Sequence, residues 1–161
     1  MKKVFLILIF SVISLFGDPA PFGLELGKAT FEEVGKKYSD FTQIGNDPVS
    51  KGKQIVVNQK NFDLKGLNRD VIFSFDTENK LMAVLLCFDE DRFDDLLSSL
   101  SKYKMIKKHN NLVIFQDGNS IISLDNMGFV TILLYQTKKF DKLYEDWRTE
   151  QERENKQNSM P

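Results

Sequence analysis

Val71-Ile72-Phe73-Ser74-Phe75-Asp76-Thr77-Glu78-Asn79-Lys80-Leu81-Met82-Ala83-Val84-Leu85-Leu86-Cys87-Phe88 is the stretch on which the fold turns. Val71, Phe73 and Phe75 alternate, so Val71 to Phe75 predicts a strand with one apolar face. Thr77 to Lys80 is polar and turns the chain back. Leu81 to Phe88 is apolar at both alternating sets of positions. A strand that is greasy on both faces belongs in the middle of a sheet, covered above and below. The pair is therefore an antiparallel hairpin at the centre of an α+β fold.

Toward the C-terminus, Asp89-Glu90-Asp91 opens a helix whose Phe93, Leu96, Leu97, Leu100 and Tyr103 recur at helical spacing. Four short strands follow: Lys104 to Lys108, Leu112 to Gln116, Ser120 to Leu124 and Phe129 to Gln136. Asn110-Asn111, Asp117-Gly118 and Asn126-Met127-Gly128 separate them, and such residues accept the positive φ of tight turns. A last helix puts Phe140, Leu143, Tyr144 and Trp147 on one face. Past Arg148 the pattern lapses, and residues 149–161 read as a polar tail that frays. Toward the N-terminus, Gln54 to Asn58 and Phe41 to Ile44 read as strands around a loop broken by Asn46-Asp47-Pro48. Thr30-Phe31-Glu32-Glu33 is a capping box that starts a helix with Phe31, Val34 and Tyr38 inward.

The order is helix, strands, helix, strands, helix, and the halves echo each other. Phe31-Glu-Glu-Val and Phe93-Asp-Asp-Leu open two helices. Phe73-Ser-Phe-Asp76 with Val84-Leu85-Leu86 parallels Ile122-Ser-Leu-Asp125 with Ile132-Leu133-Leu134. The echo reads either as a tandem α-β4 repeat or as two amphipathic hairpins of like composition. Both give an antiparallel sheet with helices packed on one face and a C-terminal helix. This organisation is similar to the β-lactamase inhibitory protein family, whose tandem repeats form a curved sheet. Leu26-Gly27-Lys28-Ala29-Thr30-Phe31-Glu32-Glu33-Val34 also resembles the helix entry of the outer-membrane assembly lipoprotein (BamE-like) family. Lys28 stands where that family has Met, and its lipidated Cys is absent. Both resemblances imply a small exported bacterial protein.

The N-terminus leads to the same place. Met1-Lys2-Lys3, thirteen apolar or small residues from Val4 to Phe16, and Gly17 form a secretory signal peptide. That run is short of the ~20 residues a membrane-spanning helix needs. Cleavage after Gly17 is preferred to an uncleaved anchor and leaves Asp18 as the mature N-terminus. The expected organisation is residues 1–17 as signal, 18–148 as a single α+β domain and 149–161 as tail. The expected location is the periplasm, or beyond it by secretion. Without the signal, 20 basic and 23 acidic residues leave a net charge of −3. Such a near-balance argues against general nucleic-acid binding. Cys87 is the sole cysteine, so no internal disulfide forms.

Little in the chain offers chemistry. The single His109 sits beside a turn, and Cys87 in a strand reads as a small buried hydrophobe. Asp89, Glu90, Asp91, Asp94 and Asp95 suit a helix N-terminus through its dipole and lack the alternating spacing of a calcium loop. No catalytic residue, metal ligand or cofactor is expected. Lys102, Lys104, Lys107 and Lys108 read as guards of an edge strand.

The sheet face away from the helices carries the functional expectation. With Phe73, Phe75, Val84, Leu86, Ile122, Leu124, Ile132 and Leu134 turned to the helices, alternation sends Ile72, Ser74, Ala83, Leu85, Cys87, Ile121, Ser123, Thr131, Leu133 and Tyr135 outward. This mixture is too apolar for a face that meets only water. The segment from Pro48 to Gly66, the C-terminal helix, a second copy in a homodimer, or a partner should cover it. Leu85, Ile121, Leu133 and Tyr135 are the candidate binding residues. The expected function is a non-enzymatic envelope protein that binds another protein as inhibitor, adaptor or assembly factor. The alternative is a carrier of a small apolar ligand.

Overall fold

The computed structural model describes residues 18–158, and the expected signal peptide lies outside them. Eight strands form one sheet: β1 (Thr42–Asn46), β2 (Lys53–Val57), β3 (Val71–Phe75), β4 (Leu81–Asp89), β5 (Lys104–His109), β6 (Leu112–Asp117), β7 (Ser120–Asn126) and β8 (Val130–Thr137). Helix α1 (Phe31–Lys37) precedes β1, α2 (Phe93–Ser99) joins β4 to β5, and α3 (Lys138–Asn158) follows β8. The strand order is β1-β2-β3-β4-β8-β7-β6-β5, antiparallel at every junction. Two four-strand meanders thus meet through their last strands, in register from Ala83↔Gln136 to Asp89↔Val130. The greasy strand β4 is central, as its two apolar faces required.

One face carries α1 and α2. There Val34 of α1, Tyr38 at its C-terminal cap, and Leu96 and Leu97 of α2 pack on Ile55, Val71, Phe73, Phe75, Val84, Leu86, Val113, Phe115, Ile122 and Leu124. Tyr38 contacts Phe62 and Phe73 with ring centroids 5.1 and 5.8 Å apart, within the range of favourable aromatic pairs. The capping box forms in full: the Thr30 N–H donates to Glu33 Oε2 at 2.7 Å, and the Glu33 N–H donates to Thr30 Oγ1 at 3.2 Å. Two N–H groups that α1 cannot satisfy internally are thereby paired.

The loop from Asp47 to Gly52 is built around one carboxylate. Asp47 Oδ1 accepts from the N–H groups of Val49 and Ser50, while Oδ2 accepts from Ser74 Oγ at 2.7 Å and Gln54 Nε2 at 2.9 Å. Its lone pairs are used up holding the loop to β2 and β3. At the other end of the chain, α3 runs ten residues past Arg148, where a fraying tail was expected. Glu, Gln, Lys and Arg are strong helix formers, so the segment stays helical without an apolar face to bury.

The two edges are managed alike. Every residue of β1 and of β5 is exposed, and each strand carries a bulge, between Gln43 and Gly45 and between Met105 and Lys107. Bulges twist an edge away from regular pairing. Lys104, Lys107 and Lys108 do lie on the edge strand β5. No helix among the described residues is long and apolar enough to cross a membrane.

Candidate functional site

Residues directly opposite each other in antiparallel strands share a face, so the pairing registers define the outer surface. Three ranks cross it. The first runs Gln54, Ser74, Ala83, Gln136, Ile121, Gln116; the second Val56, Ile72, Leu85, Leu134, Ser123, Ile114; the third Cys87, Ile132, Asp125, Leu112. Phe140 packs on Ala83 of the first rank, with Met82, Val49 and Leu134, in a small second core. The floor of a half-open groove of about 700 Å³ beside α3 takes Gln54, Ser74, Ala83 and Gln136 from the first rank, Ile72 to Ile114 from the second and Ile132, Asp125 and Leu112 from the third. Ile72, Leu85, Ile114, Ile132 and Leu134 are half-buried there. Tyr144, Trp147 and Arg148 form the helical wall, and Pro48 and Val49 close one end.

The expected binding residues separate. Leu85 lies on the groove floor. Ile121 is on the same face but in the first rank, 8% exposed and away from the groove lining. Leu133 and Tyr135 are a correction: they point to the α1–α2 side and pack in the main core. Their partners are Leu86 and Val84 on β4, and Leu124 and Ile122 on β7. Thr131 turns inward with them, opposite Phe88, and its hydroxyl donates to the Glu90 carbonyl. Ile132 and Leu134, expected among the helices, take the outer positions. The likeness between Val84-Leu85-Leu86 and Ile132-Leu133-Leu134 aligned β8 one residue out of phase. In a strand, one residue moves every side chain to the other face. Ile132-Leu133-Leu134 is apolar in either phase, so alternation carried no signal against the error.

Gln136 and Asp141 make a polar corner where α3 leaves the sheet. Gln136 Nε2 donates to Asp141 Oδ1 at 2.7 Å. Gln136 is 4% exposed, and its Oε1 accepts no hydrogen bond among the described residues. Burial raises the Asp141 carboxyl above its usual range, the Glu145 charge raises it further, and the Gln136 hydrogen bond only partly opposes them. Asp141 therefore binds a proton more readily in the folded protein than in the unfolded chain. Stability is lost as pH rises from the ordinary aspartate range, about 3.9, through the raised folded value. Asp141→Asn keeps an oxygen for Gln136 and removes the charge. Its melting temperature should exceed that of the wild type at pH 7 and match it near pH 3. A variant that melts lower at pH 7 counts against this account.

Cys87, His109 and the acidic run stand outside the groove lining. Cys87 ends the third rank, half-buried, with its thiol pushed up by burial against the opposing pull of Arg69. His109 is exposed at the end of β5, its ring nitrogen 3.3 Å from Asn110 Nδ2. Of the acidic run, Asp95 pairs with Arg92 and Asp89 accepts from Asn68. Among the described residues, no three of His, Cys, Asp and Glu converge on a point that could hold a metal ion.

No family model matches this chain. Comparison with curated proteins and with solved structures likewise returned no match. The groove is thus read from its own residues.

Proposed function

We propose that this chain is an exported, non-enzymatic protein of a bacterial envelope that works by binding another protein in the outer-face groove, as inhibitor, adaptor or assembly factor. One observation carries the reading: a six-strand sheet face with an apolar middle is covered by α3 and the Pro48–Val49 loop at one end and left half-open beside it. Contiguous apolar surface of this kind marks interaction sites in soluble proteins. Export to the periplasm or beyond it is supported by the Lys-Lys start and the short apolar run. The arrangement of the meanders about the β4–β8 junction supports reading them as tandem α-β4 units, similar to those of β-lactamase inhibitory proteins.

The carrier reading has one observation in its favour, since about 700 Å³ falls within the range of small-molecule sites. One experiment separates the two. Tagged residues 18–161 and the Leu85→Lys variant are used to capture from native periplasm, with proteins and lipids both identified by mass spectrometry. The protein-binding reading expects a protein retained by wild type and lost by the variant. A lipid with that behaviour replaces it by the carrier reading. Identical captures by the two forms remove the groove from either role.

A further inference from the structure

We propose that the groove's occupant is an extended peptide segment carrying a lysine or arginine flanked by apolar residues. This rests on the protein-binding reading above and specifies its partner. The first argument is length. The floor crosses β2, β3, β4, β8, β7 and β6, so it is about 24 Å long at the ~4.8 Å spacing of neighbouring strands. An extended chain of about seven residues, at ~3.3 Å each, spans that distance. Its apolar side chains would lie on Ile72, Leu85, Leu134 and Ile114.

The second argument is charge. Asp125 lies on the floor, and Asp141 and Glu145 on the helical wall. None of the three is in an ion pair among the described residues. Arg148 is the only basic residue of the lining, while Asp47 is spent on its own loop. The groove therefore offers unpaired negative charge beside apolar surface, and complementary potentials choose partners. The third argument is the corner at Gln136. A nine-tenths buried amide there has an oxygen without a donor, next to a carboxylate without a cation. A side chain that brings both a positive charge and several N–H donors answers both deficits, and lysine and arginine are the two that do so. Burial of Asp141 beside Glu145 makes its lone charge unfavourable, which a cation would relieve.

Trp147 is the only tryptophan in the chain and lines the groove, so its emission reports occupancy directly. The probes are three end-blocked heptapeptides of leucine and serine that differ only at the centre: lysine, norleucine or glutamate. Residues 18–161 should bind the lysine peptide with a Trp147 emission shift. Its affinity should exceed that of the glutamate peptide about tenfold at low salt, with the gap narrowing as salt is added. In the double variant Asp141→Asn, Glu145→Gln the ratio of lysine to norleucine affinity should fall toward one. An equal or reversed order of the peptides in the wild type overturns the basic class but leaves the groove as a binding site. No Trp147 shift with any peptide or with dodecylamine overturns the groove reading as well. Dodecylamine shifting Trp147 where no peptide does would assign the groove to a small amphiphile and overturn the peptide. If the double variant does not fold, the wild-type order of the three peptides decides alone.

Discussion

Leu133→Lys should unfold the protein or come close to it, while Leu85→Lys should melt near the wild type. The two leucines sit on neighbouring strands in stretches of almost the same sequence. Leu133 is 4% exposed, between Leu86 and Leu124 on the α1–α2 side. An ammonium there has no partner and no route to water, and an uncompensated buried charge costs about 3–5 kcal/mol. That is comparable to the ~5–15 kcal/mol total stability of a domain. Leu85 is half-buried on the groove floor, where a lysine stem can lie along Ile72 and Leu134 and carry its charge to the open side. Its cost should be about 1 kcal/mol, at the scale of an ordinary substitution. Urea midpoints at constant slope measure both. Equal, large losses would mean that Leu85 is as enclosed as Leu133, and the groove would cease to be a binding surface. The same pair separates loss of fold from loss of partner, since only Leu85→Lys should yield folded protein that fails to capture.

Gly52→Ala should be the most damaging glycine-to-alanine change among the described residues. Gly52 is buried, and a Cβ there would run into the carbonyl oxygens of Phe75 and Asp76. The obstruction is backbone at the end of β3 and just past it, which cannot swing aside as a flexible side chain could. The glycine is needed for space, and it lies between Ser50, whose hydroxyl donates to the Phe75 carbonyl at 2.6 Å, and β2. Overpacking commonly costs 1–3 kcal/mol, and a backbone collision belongs at or above the top, at roughly 3 kcal/mol. The loop that Gly52 pins also presents Pro48 and Val49 to the groove. Conditions that leave the variant folded should therefore show weakened capture along with a lowered melting temperature. A variant as stable as the wild type would show that the loop does not rest on β3 in this way.

The elements themselves were written in local sequence. Thr30 with Glu33, the alternation of Val71, Phe73 and Phe75, and the stripe of Phe93, Leu96, Leu97 and Leu100 fixed types and places, because capping and periodicity act within a few residues. The centrality of β4 followed from its two apolar faces. The last ten residues of α3 lack an apolar face, so periodicity carries no signal for them, and their helix-forming composition alone extends the helix. Leu85 on the groove floor was legible too, since β3 and β4 form a hairpin and the phase of Phe73 sets that of its partner.

The sequence by itself determined an antiparallel α+β fold, its turns, its lysine-lined edge and the excess of apolar side chains on the outer face. Tertiary structure alone decided which residues form the groove. β4 and β8 pair across 40 residues of intervening chain, and that register turned Leu134 and Ile132 outward and Leu133 and Tyr135 inward. It also decided that α3 crosses to the face opposite α1 and α2, which set Gln136 against Asp141 and left Trp147 beside Leu85's rank. Local patterns cannot reach this far. A run apolar in both phases buries equally well either way, and only the long-range partner, by placing each side chain next to one core or the other, breaks the tie.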